Sequence, residues 1–140
     1  MKWDYIKRIV ELSMPEYLKH ALHNFQHLLP SLPESYPYVH NAPIYGRSIK
    51  FSDPEYSSDL LPPSNCNLTQ QIVGKFYYYG IALYNTLLVA LNDTSLEQSK
   101  ATDNTSKKII MLLNYLATHP EAVIKYHASG MQLYVHSDAF

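Results

Sequence analysis

Between Leu28 and Asn67 the chain cannot form a long regular element, and that interruption constrains everything on either side of it. Most of its nine prolines fall here, in Leu29-Pro30-Ser31-Leu32-Pro33, Tyr36-Pro37-Tyr38, Ala42-Pro43 and Leu61-Pro62-Pro63. Proline lacks the backbone N–H that both a helix interior and a central strand require, so neither can run through this stretch. At about forty residues it exceeds an ordinary connection between elements, which makes it a linker or a strap laid over other parts.

The flanks have patterns of their own. Lys2-Trp3-Asp4-Tyr5 and Val10-Glu11-Leu12-Ser13 alternate about the mostly polar Ile6-Lys7-Arg8 step, which predicts a β-hairpin with Trp3, Tyr5, Val10 and Leu12 on one face. Ser13 and Pro15 then signal a helix start, and Leu18, Ala21, Leu22 and Phe25 give that helix an apolar face as far as about His27. Beyond the interruption, helical spacing resumes near Leu68 with Val73, Phe76, Tyr77, Tyr84, Leu87, Leu88 and Leu91, with a possible break at Gly80. A third helix is predicted from Thr102 or Asp103, with Ile109, Leu112, Leu113 and Leu116 as its stripe and His119-Pro120 as its end. Two strands, Ala122 to His127 and Gln132 to Asp138, would close the chain about a Ser129-Gly130 turn.

Composition narrows the class. Of 140 residues, 46% are apolar and 16% charged, enough to bury a core. A net charge of −1 supplies no overall field for nucleic acid or an acidic membrane, so any such contact must come from local clusters. Cys66 is the single cysteine, which excludes an internal disulfide and a cysteine-based zinc site. Met1-Lys2-Trp3-Asp4-Tyr5 has no signal-peptide run, so the expected location is intracellular, cytoplasmic or nuclear, and the sequons at Asn67, Asn92 and Asn104 are read as chance. Ile72 to Leu91 approaches the length of a membrane span, but Lys75, Asn85 and four tyrosines interrupt it; a buried helix is the better reading.

Taken in order, these pieces resemble the reverse transcriptases of copia-type and related LTR retrotransposons, from the end of the polymerase to the first strand of RNase H. Lys2-Trp3-Asp4-Tyr5 with Val10-Glu11-Leu12-Ser13-Met14-Pro15-Glu16-Tyr17 looks like the hairpin that helps hold the primer end. Tyr17, Ala21, Leu22 and Phe25 are similar to the family's Tyr-x-x-x-Ala-Leu-x-x-Phe helix. Gln71 to Tyr79, with Gly74, Phe76 and Tyr78, resembles one thumb helix, and Leu112 to Pro120 the next. Met131 to Ala139, with His136-Ser137-Asp138-Ala139, resembles the strand that ends in the first metal-binding aspartate of RNase H. The chain departs from such relatives at Tyr84-Asn85-Thr86-Leu87, where they often carry Arg-Pro-Asp or Asp-Pro.

The resemblance implies what chemistry to expect. Polymerases and RNases H work through carboxylates clustered around paired divalent ions. The family's polymerase carboxylates would precede Met1, the remaining RNase H carboxylates would follow Phe140, and no Asp-Asp pair occurs in the chain. Asp138 is then a catalytic and metal-binding residue only in an intact RNase H domain. Mg²⁺ is implied for the parent, no cofactor for the fragment, which alone is expected to catalyse nothing. Candidate nucleic-acid contacts are Trp3, Lys7, Arg8, Lys107 and Lys108, weighed against the usual fate of short basic pairs, which is solvation. His20, His23 and His27 share one side of the predicted first helix, and His23 and His27 have zinc-ligand spacing; exposed histidines are the better reading because no third ligand is near.

The expected fold class is α+β: an N-terminal hairpin, three helices with the long linker after the first, and a C-terminal strand pair beginning an RNase H-like sheet. Residues 1–27 would end a polymerase palm and open a thumb, 28–67 form the linker, 68–120 supply thumb or connection helices, and 121–140 begin an incomplete RNase H domain. The expected function is to bear structure and contact an RNA/DNA template–primer within a reverse transcriptase polyprotein, with the rest of that polyprotein as partner and no membrane. Two alternatives are a small helical protein-interaction module with a Pro/Tyr-rich strap, and a single-span membrane protein. Without a palm to pack on, both hairpins are expected to be open and folding marginal.

Overall fold

A computed structural model describes residues 1–39 and 59–128. The order of elements is β1 (Lys2–Asp4), β2 (Ile9–Ser13), α1 (Pro15–Asn24), α2 (Pro63–Ala82), α3 (Leu88–Glu97), α4 (Asp103–Thr118) and β3 (Val123–His127). The architecture is α+β, with strands at both ends of the described chain and helices between them.

The expected N-terminal hairpin forms, with Trp3 opposite Val10 and Asp4 opposite Ile9. Its turn is held by Asp4, whose Oδ1 accepts from the Lys7 backbone N–H at 2.9 Å, and Arg8 takes a left-handed φ of 54° to reverse the chain. Trp3, Val10 and Leu12 fall on one face; Tyr5 lies in the turn rather than in a strand. The C-terminal segment behaves differently from the expected separate strand pair. β3 pairs antiparallel with β2, from Ile9–His127 to Ser13–Val123, giving one three-stranded sheet in the order β1-β2-β3. Alternation alone cannot disclose such a partner more than a hundred residues away. The expected strand from Gln132 to Asp138 and the Ser129-Gly130 turn lie outside the described residues.

Among the described residues the α-helices number four, where three are expected. The second apolar stretch divides, but not at Gly80, which stays helical and buried. A Cβ added there would meet Leu88 Cδ2 at 3.1 Å and Leu91 Cδ1 at 3.4 Å, so this glycine serves close approach to α3. The chain leaves α2 at Leu83, which is 5% exposed, and passes through a short 3₁₀ turn at Asn85–Leu87 that buries Leu87 completely. Burying both leucines requires the change of direction, and neither residue type announces it. α2 also starts five residues earlier than Leu68, with Pro63 in its first turn, where a missing N–H costs nothing.

α1 is shorter than its apolar pattern. It ends at Asn24; Gln26 adopts φ 52°, and the N–H groups of Gln26 and His27 donate to His23 O (2.9 Å) and Leu22 O (3.0 Å). This left-handed cap turns His27 off the helix axis. α4 begins where expected, with Thr102 and Thr105 hydrogen-bonding reciprocally as a capping box, and stops before His119-Pro120.

One core joins the two sides of the proline-rich stretch. Leu18 and Ala21 of α1 pack with Ile72, Val73, Phe76 and Tyr79 of α2, Leu91 of α3 and Leu112 and Leu116 of α4, and Leu12 and Ile124 bring the sheet onto the same cluster. The first part of the stretch runs across α4: the Glu34 N–H donates to Thr118 Oγ1 at 3.2 Å, and Tyr38 packs on the core. Among the described residues no helix is long and apolar enough to cross a membrane.

Candidate nucleic-acid interface

The sheet covers the core with only one end. Trp3, Val10 and Tyr126 form a cross-strand row on the face that also carries Leu12 and Ile124. Leu12 and Ile124 pack on the helices, whereas Trp3 is 56% and Tyr126 54% exposed. The row therefore projects beyond the helical layer. Tyr5, 83% exposed, sets its ring nearly parallel to that of Trp3, at 15° and 6.2 Å between centroids.

Shallow grooves flank this projection. One of ≈ 560 Å³ is bordered by Lys2, Trp3, Tyr5, Lys7 and Lys125 among others, and a second of ≈ 460 Å³ by Trp3, Tyr5, Arg8, Val10, Tyr126 and His127. The corner carries four cations, Lys2, Lys7, Arg8 and Lys125, against two carboxylates, Asp4 and Glu11. Both carboxylates are engaged in ion pairs: Asp4 lies 3.9 Å from Lys7 Nζ, and Glu11 lies 3.0 Å from Lys125 Nζ across the strands. A chain that is slightly acidic as a whole is thus locally basic where Trp3 and Tyr5 are exposed.

The structure brings Trp3, Lys7 and Arg8 to this corner but not Lys107 and Lys108, which lie in the first turns of α4, remote in sequence from its C-terminal connection to β3. Lys108 is committed elsewhere. Its ammonium donates to Asp93 at 2.8 Å and Glu97 at 2.7 Å, tying α4 to α3, and Thr105 Oγ1 adds a third contact by donating to Glu97 at 2.9 Å. Burial alone would pull the Lys108 pKa down; the hydrogen bonds and charges of Asp93 and Glu97 outweigh it and raise the net value. A lysine so neutralised is a poor phosphate ligand. Lys107 is exposed on α4. The sequence pattern does not point to Tyr126, since its placement beside Trp3 depends on the β2–β3 register.

The histidines do not converge. His20 and His23 are exposed on α1, while His27, turned away by the cap, hydrogen-bonds through Nε2 with Asn114 Oδ1 at 3.0 Å. Among the described residues no group of three or more His, Cys, Asp or Glu side chains is arranged to hold a metal ion. Asp138 lies outside the described residues.

The interior contains a second aromatic group, of structural character. Tyr17 stacks on Tyr79 at 5.8 Å and donates its hydroxyl to Lys75 O at 2.8 Å. The Tyr84 and Tyr115 hydroxyls share a 2.7 Å hydrogen bond, and burial together with that bond pushes the Tyr84 pKa up to about 12. The Tyr79 hydroxyl is buried without a well-formed hydrogen bond; burial raises its pKa, and the nearby Ala122 backbone offsets this only in part.

Comparison of the chain with protein-family models, curated proteins and solved structures finds no match.

Proposed function

We propose that this chain is a segment of an LTR-retrotransposon reverse transcriptase polyprotein, joining polymerase to RNase H, and that it contacts the template–primer through its N-terminal hairpin. The observation that carries the reading is the projecting hairpin itself, with Trp3 and Tyr5 exposed side by side among Lys2, Lys7 and Arg8. Cations meet phosphates without regard to sequence, and exposed rings take up base or sugar surface, which suits a protein that must hold any primer. The order of hairpin, helix and further helices follows the order of the first four resembling blocks, and the last block, Met131 to Ala139, lies outside the described residues. In this reading Asp138 is a metal ligand only in the intact parent, and Mg²⁺ belongs to that parent.

The parentage is tested by reading the coding sequence on both sides of the frame. An aromatic-x-Asp-Asp motif upstream and further RNase H carboxylates downstream are expected; unrelated frames on both sides would overturn the proposal. They would favour instead a stand-alone helical interaction module, a reading that draws on the exposure of Tyr78, Ile81 and Val89 on α2 and α3.

A further inference from the structure

We infer that the hairpin corner is a binding platform for unpaired nucleotides, and that Tyr126 of β3 completes it. This rests on the nucleic-acid reading of the hairpin and deepens it by naming the form of nucleic acid recognised and a residue outside the hairpin that recognises it.

The argument begins with register. Trp3 lies opposite Val10, and Val10 opposite Tyr126, so the two large rings flank a small, half-buried aliphatic side chain on one face of the sheet. Neighbouring strands are roughly 4.8 Å apart, which separates the Trp3 and Tyr126 backbones by about 10 Å, with Val10 as a low floor between them. Tyr5 extends the aromatic surface from the turn. Over half of the Trp3 and Tyr126 surface is open to solvent, although burying such rings is the usual way to stabilise a sheet.

Charge decides what kind of occupant suits this surface. Arg8 and His127 border the same groove as Trp3 and Tyr126, Lys2 and Lys7 border its neighbour, and the two local carboxylates are taken up by Lys7 and Lys125. An apolar protein partner would have to desolvate Lys2 and Arg8, which make no ion pair among the described residues, whereas a polyanion with flat apolar faces satisfies both features at once. Bases inside a duplex already use both π-faces for stacking, so exposed rings gain most from nucleotides that are unpaired. The platform therefore suits a single-stranded overhang next to a duplex, with bases on Trp3, Tyr5 and Tyr126 and phosphates toward Arg8 and Lys7.

The experiment titrates the full chain with a labelled unpaired oligonucleotide, a blunt duplex of the same length and a recessed RNA–DNA hybrid, using the wild type, Tyr126→Ala and Tyr126→Phe. Tyr126 is exposed, so neither substitution should disturb folding, and Tyr126→Phe keeps the ring. The expected result is tighter binding to the unpaired oligonucleotide and the recessed hybrid than to the blunt duplex. Tyr126→Ala should weaken unpaired-strand binding at least about fivefold, the low end for losing one base–aromatic stack, and Tyr126→Phe should restore it. Hybrid binding that is indifferent to overhangs and to Tyr126→Ala would overturn this inference and leave the hairpin reading standing. No binding to any of the three would overturn both. Self-association abolished by Tyr126→Ala, with no effect of oligonucleotide, would assign the surface to protein contact and also overturn it.

Discussion

The helical cluster and the sheet solve different problems. In α2, α3 and α4 the large side chains Phe76, Tyr79, Leu91, Leu112 and Leu116 are almost completely buried, and the contacts among them follow from spacing within each helix. In the sheet, Leu12 and Ile124 reach that core, while Trp3 and Tyr126 two positions along point past it. The sheet also depends on a pairing that closes a loop over most of the chain, between Ile9–Ser13 and Val123–His127. Buried apolar surface is therefore concentrated in the helices and exposed aromatic surface in the projecting end of the sheet, so stability and any binding at that end should respond to different substitutions.

The largest effect should come from the core. Phe76→Ala should cost roughly 3–5 kcal/mol, enough to unfold much of a domain this small. Trp3→Ala should change stability by only about 0.5 kcal/mol because its ring is largely solvated. Denaturant unfolding of both variants checks the contrast, and equal losses would erase the distinction between the regions.

Alkaline pH should act next, and on the helical side. Tyr84 is held to about 12, and Tyr17 and Tyr79 are also raised, all mainly by burial. Their unfolded values lie near 10, so above that pH the unfolded chain loses protons that the folded one retains. The stability these tyrosines contribute is present in full below pH 10 and is lost as pH rises toward 12. Denaturation at stepped pH should show this fall, and Tyr84→Phe should blunt it; a flat profile between pH 10 and 12 would contradict the burial of the group.

A smaller effect separates two glycines on one helix. Gly74 is exposed and a Cβ there meets nothing within 4 Å, so Gly74→Ala should stabilise by about 0.5–1 kcal/mol. Gly80 faces α3 at close range, and Gly80→Val should destabilise. Thermal unfolding of the pair gives opposite shifts if α2 and α3 touch as described.

Hydrogen exchange sharpens the comparison from the other side. A lone hairpin is barely stable in water, which is why the alternating patterns alone suggested open ends. A third strand and the packing of Leu12 change that expectation: amides of Val10 and Leu12 should exchange more slowly than those of the Tyr5–Arg8 turn. Rapid exchange throughout Ile9–Ser13 would mean that β3 does not hold.

What was legible in the residues follows the range of the forces involved. The α+β class, the hairpin at Lys2–Ser13 and the capped start of α4 at Thr102 rest on local periodicity and side-chain caps, and they form. Glycine weakens helices, so the sequence points to a break at Gly80, yet that residue provides close packing and the bend lies at Leu83–Leu87. The apolar pattern reaches Phe25 and so extends α1 to His27, whereas the helix ends at Asn24 and a left-handed Gln26 turns the chain away. At the candidate interface Trp3, Lys7 and Arg8 could be named from the hairpin. Lys108 could not be set aside without seeing Asp93 and Glu97 around it, and Tyr126 could not be found without the β2–β3 register.

Whether the hairpin holds template–primer, as proposed, can be read at Trp3. As the only tryptophan it reports on that corner alone. Its fluorescence should be followed while the chain is titrated with a recessed RNA–DNA hybrid at several salt concentrations, for the wild type and for the double variant Lys7→Ala/Arg8→Ala. Trp3 emission should change on binding, and the affinity should fall with salt. Removing two phosphate contacts should reduce the slope of log affinity against log salt by about two. Binding that leaves Trp3 emission unchanged, or a salt slope indifferent to Lys7 and Arg8, would place the contact elsewhere and contradict the claim.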